Sequence, residues 1–574
     1  MLHDESDKAR QLCRQLKPLI GTQADRMWMA YLAENEAGRE QILDYLELLA
    51  SQQFQGSLSS DGPGLVPPEA HQAAGEYVLG DVAYNGKPLF PFGLRENEWT
   101  QHVGVFGRSG AGKTNLGFII VKELLAKGKP VLVFDWKRNY RDLVTLPGFE
   151  KVAVYTVGRP VSPLSFNPLI PPRGTSPQTW LKKLIQVIAH AYLLGDGVMY
   201  LLQEAIDQVY RDAGVYDGSV ARWPTFRDVS QALKDRKTFG REAGWLSSAM
   251  GAVSSLCFGD MDHLLNEGND DLEQLLTRPV ILELDGLTQS DKVMVAEAML
   301  LWIHHFRMAG PIREVFCHSI VIEEAHHLLA DERKALSGGQ SVMEITFREI
   351  REFGEAMIIL DQHPSQISMS ALGNSYCTFC FNLKHRTDVN AISQAMLLQE
   401  EARDIPGNLQ IGEAIVRLQG RSVKPFMIRV PEFAISKGSF TDAMVARHMI
   451  DLGLLSSRKQ AAEASNELQA EASEPLDIEQ AFLGDIERFP NSGIAERYRR
   501  LGLTVRLGQK LKAHFIEKGL IQEHIQTTQQ GRLRVLRLTE EGRLRLPEAE
   551  KGQSEPRLPE GRTGADGDNS HFFT

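Results

Sequence analysis

The sequence has little of several features that would place it in a specialised class of protein. It contains five cysteines in 574 residues, a small and odd number that argues against a disulfide framework and for a reducing compartment. No apolar run is long enough to cross a bilayer, and no basic and apolar leader opens the chain. The formal net charge is −11, so no overall basic character indicates nucleic-acid binding. We therefore expect a cytoplasmic protein without a membrane partner, in which any DNA contact is local.

The length predicts several domains. Because single hydrophobic cores stop growing near roughly 250–300 residues, a chain of 574 residues should hold two to four domains. Changes in periodicity and composition indicate where the boundaries lie. The expected parts are a helical N-terminal segment with its linker (1–74), an α/β core (75–432) with an all-helical insertion (about 171–265), a helical connector (433–475), a basic module (476–548) and a disordered tail (549–574).

The stretch around residue 107 predicts a site for the phosphates of a nucleotide. The apolar run Val103 to Phe106 is typical of a buried strand, and Gly107 to Thr114 then match the pattern G-x-x-x-x-G-K-T. In this pattern backbone N–H groups turn toward phosphate oxygens, Lys113 reaches the β- and γ-phosphates, and Thr114 ligates Mg²⁺. Apolar residues at helical spacing from Leu116 to Leu125 place a helix N-terminus behind the loop, which favours anions. The residues expected to bind the nucleotide are Gly107, Arg108, Ser109, Gly110, Ala111, Gly112, Lys113, Thr114 and Asn115.

Other apolar runs end in polar residues, as expected of parallel strands covered by helices. Pro130 to Asp135 is such a run, and Trp136 and Lys137 follow it. Ligands of open α/β sheets bind at the carboxyl ends of the strands. Asp135 and Lys137 therefore either face a ligand or cap the next helix, and the sequence leaves both interpretations open.

A pair of glutamates follows another buried run, Ser319 to Ile322. In a nucleotide hydrolase Glu323 would bind Mg²⁺ through water, and Glu324 would polarise the attacking water. Gln362 follows the run Ala356 to Asp361 and is expected to sense the γ-phosphate or to orient water.

The arginine that stabilises the transition state is not determined by the sequence. Within the phosphate loop, Arg108 is the one arginine that can act on its own subunit's site. Otherwise a neighbouring subunit supplies the residue, and Arg351, Arg348 and Arg386 are the candidates. The alternative for each is an ordinary surface salt bridge.

Near the C-terminus the charge balance inverts. From Arg488 to Arg545 there are 13 Lys and Arg residues against 5 Asp and Glu residues. Helical segments followed by two strands around Gln529 to Gly531 predict a winged helix–turn–helix. Such a module either engages DNA or docks on a protein, and both readings stay open. The candidate DNA contacts are Arg506, Gln509, Lys510 and Lys512 on the second helix and Arg532 and Arg534 on the wing.

Together these motifs resemble the HerA–FtsK superfamily of ring-forming ATPases, and within it the HerA-like branch of bacteria and archaea. The resemblance covers roughly residues 75 to 432. It is carried by His102 to Thr114, Asp135-Trp-Lys137, Phe166-Asn-Pro-Leu169, Val321 to His326, and Asp361 to Ser365. It implies a RecA-like P-loop ATPase core with a parallel-rich sheet, ATP and Mg²⁺ as cofactors, and a trans-acting arginine shortly before the strand that leads to Gln362. It differs from HerA proper in having a helical segment and one short hairpin where HerA carries an N-terminal β-barrel, which puts the usual docking of a nuclease partner in doubt.

The family's members are typically hexameric pumps that thread double-stranded DNA through a central pore. We therefore expect an ATPase that moves double-stranded DNA as a hexamer. Two alternatives stay open. One is an ATP-regulated scaffold ring that controls an effector such as a nuclease in DNA processing or phage defence, and the other is a pump of the conjugative or secretion type.

Overall fold

The computed structural model describes residues 2–53, 65–330, 342–422, 424–455, 482–490, 492–501, 505–528 and 531–544. The chain divides into two compact units, Met1–Ser457 and Arg458–Thr574, which are described separately below. The predicted tail and residues 456–475 of the predicted connector lie outside the described residues, as do residues 54–64 of the predicted linker.

An eleven-stranded mixed sheet forms the centre of the first unit, in the order β2-β1-β11-β10-β9-β3-β8-β7-β4-β6-β5. The strands are β1 (Tyr77–Tyr84), β2 (Lys87–Leu94), β3 (Val103–Phe106), β4 (Val131–Asp135), β5 (Ala153–Thr156), β6 (Val280–Glu283), β7 (His318–Glu323), β8 (Glu355–Asp361), β9 (Cys377–Cys380), β10 (Glu413–Leu418) and β11 (Phe426–Arg429).

The sheet has a parallel and an antiparallel part. From β9 through β3, β8, β7, β4 and β6 to β5 every neighbouring pair is parallel, whereas β10, β11, β1 and β2 extend the sheet in antiparallel fashion. Every residue of the parallel strands is buried. This burial explains why these strands appear in the sequence as short, continuous apolar runs. The parallel-rich α/β core expected from the sequence is confirmed.

Helices surround this sheet. In the first unit they are α1 (Leu2–Ile20), α2 (Thr22–Ala33), α3 (Glu36–Gln53), α4 (Ala70–Ala73), α5 (Lys113–Ala126), α6 (Pro177–Tyr192), α7 (Asp196–Asp212), α8 (Phe226–Asp235), α9 (Arg241–Leu256), α10 (Asp260–Asn266), α11 (Leu272–Leu275), α12 (Gln289–Ala309), α13 (His326–Leu329), α14 (Val342–Glu349), α15 (Met369–Gly373), α16 (Arg386–Ala395), α17 (Ile405–Asn408) and α18 (Asp442–Asp451).

Two groups of these helices were expected from the sequence. Helices α6 to α10 follow one another between β5 and β6 with no strand among them, as predicted for the insertion. Helices α1 to α3 enclose a small apolar core of their own, in which Leu16, Tyr31 and Leu46 pack with Tyr84 of the β1–β2 hairpin. Among the described residues, no helix combines the length and the apolar character that crossing a membrane requires.

The strand order brings several polar residues to one edge of the sheet. Strands β3, β8, β7 and β4 are consecutive and parallel, so Phe106, Asp361, Glu323 and Asp135, the last residue of each, lie along the same edge. We call this the carboxyl edge and the opposite one the amino edge. Because β8 lies between β3 and β7, the residue after it, Gln362, falls between the phosphate loop and the glutamate pair.

The second unit has a separate, smaller core. It contains α19 (482–488), α20 (Ile494–Arg500), α21 (Val505–Glu517), the antiparallel hairpin of β12 (Ile521–Thr528) and β13 (Gly531–Leu538), and α22 (Glu540–Leu544). Phe482, Tyr498, Phe515 and Leu536 form part of its apolar interior. The predicted order of helices and strands is present, and the assignment as a winged helix stays a prediction.

Candidate nucleotide-binding and active site

The phosphate loop joins β3 to α5. Its first glycine, Gly107, donates a main-chain hydrogen bond to the carbonyl of Asp361 at 3.1 Å, which fixes the loop to the neighbouring strand. Gly110 and Gly112 have φ angles of +76° and +123°, a region that residues with a side chain rarely adopt. A Cβ at Gly112 would also lie 3.0 Å from the ring of Phe381. The glycine pattern therefore meets a conformational requirement here, and α5 begins directly afterwards at Lys113.

The Lys113 side chain folds back into this loop. Its Nζ donates to the carbonyl oxygens of Gly107 at 2.6 Å and Arg108 at 3.1 Å. Burial lowers the pKa of the Lys113 ammonium group to about 8, against the opposing effect of three nearby carboxylates, of which Glu324 is the strongest. A cation held among main-chain carbonyls in this way is suited to exchange them for phosphate oxygens.

Thr114 and Glu323 meet next to the loop. The Thr114 hydroxyl lies 3.4 Å from Oε1 of Glu323, and the Asn139 amide donates to Oε2 at 3.2 Å. Burial and, next, the Asp135 carboxylate raise the pKa of Glu323 to about 8, although the hydrogen bond from Asn139 opposes the shift. A buried carboxylate and a hydroxyl this close form a set of hard oxygen donors, which is the set that Mg²⁺ prefers. The residues present therefore fit the ion that the sequence pattern predicts.

Glu324 occupies a strained position beside them. Its φ is +51°, which is uncommon for a residue with a side chain and is frequent at functional sites. Its carboxylate accepts hydrogen bonds from Nζ of Lys137 and, at 2.6 Å, from the Gln362 amide. Glu324 and Gln362, which are expected to act near the γ-phosphate, are thus in direct contact, and Lys137 bonds to the same carboxylate.

Asp135 and Lys137 were expected either to face a ligand or to cap the next helix, and the two residues differ in this respect. The Asp135 carboxylate accepts from the main-chain N–H groups of Lys137 at 3.1 Å and Tyr140 at 2.8 Å, so it caps the turn after β4. The Lys137 side chain instead reaches the site and binds Glu324.

Asn115, the last of the residues expected to bind the nucleotide, holds a distant segment of the chain. Its amide nitrogen donates to the carbonyl of Pro431 at 2.8 Å, and its amide oxygen accepts from the N–H of Phe433 at 2.7 Å. Both ends of the amide thus hold the segment that follows β11, so Asn115 links α5 to this segment.

That segment closes one side of a cavity of about 960 Å³ over the phosphate loop. The outer wall of the cavity contains residues that the sequence did not indicate, because they come from the antiparallel strands and the turns next to them. They are Asp81, Pro88, Ile411, Gly412, Arg429, Val430, Pro431, Glu432 and Lys437. No motif marks them, since they converge only when β1 pairs with β11, which lies much later in the sequence.

The candidate arginines lie in different places. Arg108 donates through Nε to Oδ1 of Asn382 at 2.7 Å. Arg348 and Arg351 are exposed on α14 and the short 3-10 helix before β8, at the amino edge. Arg386 is exposed at the start of α16, after β9, at the carboxyl edge. Arg348, Arg351 and Arg386 do not line the cavity.

Two of the six predicted DNA contacts have described side chains. Gln509 is exposed, and Nζ of Lys512 lies 3.2 Å from Oε2 of Glu523 on β12. The side chains of Arg506, Lys510, Arg532 and Arg534 lie outside the described residues.

Comparison with known families agrees with this site. A strand–loop–helix phosphate loop facing paired carboxylates at the carboxyl edge defines the class of P-loop NTPases. Residues 77–300 match the family model described as "Helicase HerA, central domain", and the match includes the whole phosphate loop. This part of the chain is thus similar to the HerA family, as the resemblance of its motifs predicted. Comparison with curated protein sequences gives no significant match.

Solved structures give weaker likenesses. VirB4 of Thermoanaerobacter pseudethanolicus is 16% identical, with 63% of this chain and 97% of that chain covered and a TM-score of 0.49. The bacterial conjugative coupling protein TrwBΔN70 is 11% identical, with 67% and 98% covered and a TM-score of 0.49. TrwB in complex with ADP and Mg²⁺ is 13% identical, with 63% and 91% covered and a TM-score of 0.45. Likenesses of this strength do not assign a function.

Proposed function

We propose that the chain hydrolyses ATP with Mg²⁺ and uses the energy to move double-stranded DNA, working as a hexameric ring. One observation carries the enzymatic part of this proposal. The residues needed to bind the phosphates, hold the metal and polarise water come from three parallel strands and meet in one cavity. Convergence of this kind, with a strained glutamate at its centre, is typical of a catalytic site.

Each residue has a separate task in the proposed reaction. Lys113 and the loop N–H groups bind the β- and γ-phosphates. Thr114 and, through water, Glu323 would hold Mg²⁺, which would neutralise charge on the phosphate oxygens. Glu324 orients and polarises the attacking water, while Gln362 and Lys137 hold the Glu324 carboxylate in place.

The transport part rests on two further observations. Residues 77–300 match a family model that is described as the central domain of a helicase, and a helicase acts on nucleic acid. The segment from Arg488 to Arg545 carries 13 basic and 5 acidic residues in an otherwise acidic chain, which suits contact with phosphates. We propose that this segment is a winged helix that engages DNA through Arg506, Gln509, Lys510, Lys512, Arg532 and Arg534. The ion pair of Lys512 with Glu523 is partly exposed, so a phosphate can compete for the lysine.

Steady-state ATP hydrolysis with and without long double-stranded DNA tests the proposal. We expect DNA to stimulate hydrolysis, and Lys113→Ala and Glu324→Gln to abolish both the basal and the stimulated rates. Glu352→Gln is the matched control, because Glu352 is exposed at the amino edge, away from the cavity. Mass measurement in solution with ATP present tests the hexamer.

The alternatives give different results in the same assays. Hydrolysis that is indifferent to any DNA would reject the translocase and favour a scaffold ring that controls a partner effector. Co-fractionation of the protein with membranes would favour a conjugative or secretion pump.

A further inference from the structure

Asp361 connects three loops of the site. It is the last residue of β8 and is completely buried. Its main-chain carbonyl accepts from the N–H of Gly107, the first residue of the phosphate loop. Its side chain accepts from the turn after β7 through one oxygen and from the turn after β8 through the other. One residue thus fixes the phosphate loop, the glutamate turn and the glutamine turn relative to one another.

The contacts with the glutamate turn are made by His326. Its main-chain N–H donates to Oδ2 of Asp361 at 2.7 Å, and its ring Nδ1 lies 2.9 Å from the same oxygen. The other oxygen, Oδ1, accepts from the N–H of His363 at 2.7 Å. Glu324 lies two residues before His326, and Gln362 lies between Asp361 and His363. Hydrogen bonds to one carboxylate therefore fix both the turn that carries Glu324 and the turn that carries Gln362, the two residues assigned to the attacking water.

We propose that Asp361, acting with His326, is a positioning residue that holds Glu324 and Gln362 in the geometry needed for hydrolysis. The inference rests on the proposed function for its kinetic consequence. The strained φ of Glu324 explains why such a support is needed, since a residue in this conformation relaxes unless its neighbours hold it. Glu324, His326 and Asp361 also place potential metal-binding atoms within 4.8 Å of one another, but His326 and Asp361 use these atoms for their mutual hydrogen bond.

The same two strands contain a natural control. At the amino edge, Nδ1 of His318 on β7 lies 2.7 Å from Oε2 of Glu355 on β8, and both side chains are completely buried. This pair has the same chemistry and the same strands as His326 and Asp361, but it lies at the far end from the nucleotide. The Glu355 carboxylate also accepts from Nε of Arg307, so Glu355→Gln measures what loss of a buried carboxylate with two partners does to stability at the end of the strands far from the nucleotide.

The experiment compares Asp361→Asn with Glu355→Gln in the full chain. In Asp361→Asn the amide cannot accept from both turns, because one of its two oxygens is replaced by a donor. We expect kcat for ATP to fall about 100-fold, the effect of a displacement of about 1 Å in an active site, with the nucleotide Kd changed less than about threefold. We expect Glu355→Gln to lower the melting temperature at least as much and to leave kcat unchanged.

A readout without catalysis accompanies the kinetics. Amide hydrogen exchange of at least one of the segments 324–328 and 362–366 should accelerate in Asp361→Asn and not in Glu355→Gln, because the single amide oxygen can accept from the N–H of His326 or from that of His363 but not from both. His326→Ala, which keeps its main-chain contact, should show a smaller fall in kcat, and its effect should not add to that of Asp361→Asn. It also serves as the test if Asp361→Asn does not fold.

The outcomes separate this inference from the proposed function. Unchanged exchange together with a kcat within twofold of the wild type, in Asp361→Asn or in His326→Ala if the former does not fold, would overturn the positioning role. A kcat loss equal to that of Glu355→Gln would also overturn it. If the wild type hydrolyses no nucleoside triphosphate while exchange accelerates as expected, the proposed function fails, and what stands is that Asp361 holds the turns that carry Glu324 and Gln362.

Discussion

Replacement of Glu324 by glutamine tests the proposed chemistry most directly. The substitution keeps the volume of the side chain and one carbonyl oxygen that can accept from Gln362 or Lys137, but it removes the charge that polarises water. Lys137 is 53% exposed, so loss of its ion pair with Glu324 costs at most about 1 kcal/mol. The variant should therefore fold and bind ATP like the wild type.

Hydrolysis should respond much more strongly. Removal of a general base costs about 10²–10⁴-fold in rate, which corresponds to roughly 3–5 kcal/mol of transition-state stabilisation. Phosphate release in single-turnover conditions measures this step apart from binding, and titration with a fluorescent ATP analogue measures the Kd. The expected signature is a large fall in the rate with a Kd within about threefold of the wild type. A large fall with no change in affinity would be an effect on the transition state alone.

Glu352→Gln provides the comparison at an exposed position of the amino edge, and its rate should stay within twofold of the wild type. If the rate of Glu324→Gln also stays within threefold, the carboxylate does not polarise the water, and the assignment of the glutamate pair is wrong.

Three further changes follow from the same geometry. Lys113→Ala removes the cation from the phosphate loop and should weaken ATP binding more than tenfold in calorimetric titration; retention of affinity would contradict its role. Glu323→Gln should stabilise the metal-free and nucleotide-free protein by about 1–3 kcal/mol at pH 9 and not at pH 4. The pKa of Glu323 is raised from 4.5 to about 8 in the folded protein, so ionisation of this carboxyl group costs stability as the pH rises through that window. Equal melting curves of the variant and the wild type at pH 9 would contradict this prediction. Arg141→Met removes hydrogen bonds of 2.5–2.6 Å to Glu283 and Asp442, which keep Arg159 as a partner, and should destabilise the first unit by about 1–3 kcal/mol in denaturant unfolding. An unchanged transition would show that these buried ion pairs are dispensable.

The buried strands were the part of the fold that the sequence predicted best. The expected strand Val103 to Phe106 has those bounds in the structure, and the run before the glutamate pair begins one residue earlier than expected, at His318. Strands that are covered on both faces have to be apolar throughout, and their polar neighbours then mark where each strand ends. For the same reason the sequence predicts that the glutamates and Gln362, which follow buried strands, lie at one edge of the sheet.

The residues of the outer wall of the cavity could not be predicted from the sequence in this way. Asp81, Ile411 and Lys437 belong to separate segments without a shared pattern, and only the antiparallel extension of the sheet brings them together. The partners of Asn115 were not predictable for a related reason. Its position directly after Thr114 indicates a nucleotide contact, which stays a prediction, and its hydrogen-bond partners, Pro431 and Phe433, lie more than 300 positions further along the chain.

The arrangement of the sheet also narrows the search for the arginine that acts in hydrolysis. Strand β8 has seven residues, so about 20 Å separate Arg351 at its amino edge from Gln362 at its carboxyl edge. The proximity of Arg351 to His102 agrees with this placement, because its charge adds to the effect of burial in lowering the pKa of His102 to about 4, and His102 lies at the start of β3. An arginine at the amino edge therefore cannot serve its own subunit's site without a large movement, and a role for it requires a second copy of the chain. Arg386 lies at the carboxyl edge, so a role for it does not require a second copy of the chain. The dependence of the hydrolysis rate on protein concentration therefore distinguishes Arg351 from Arg386.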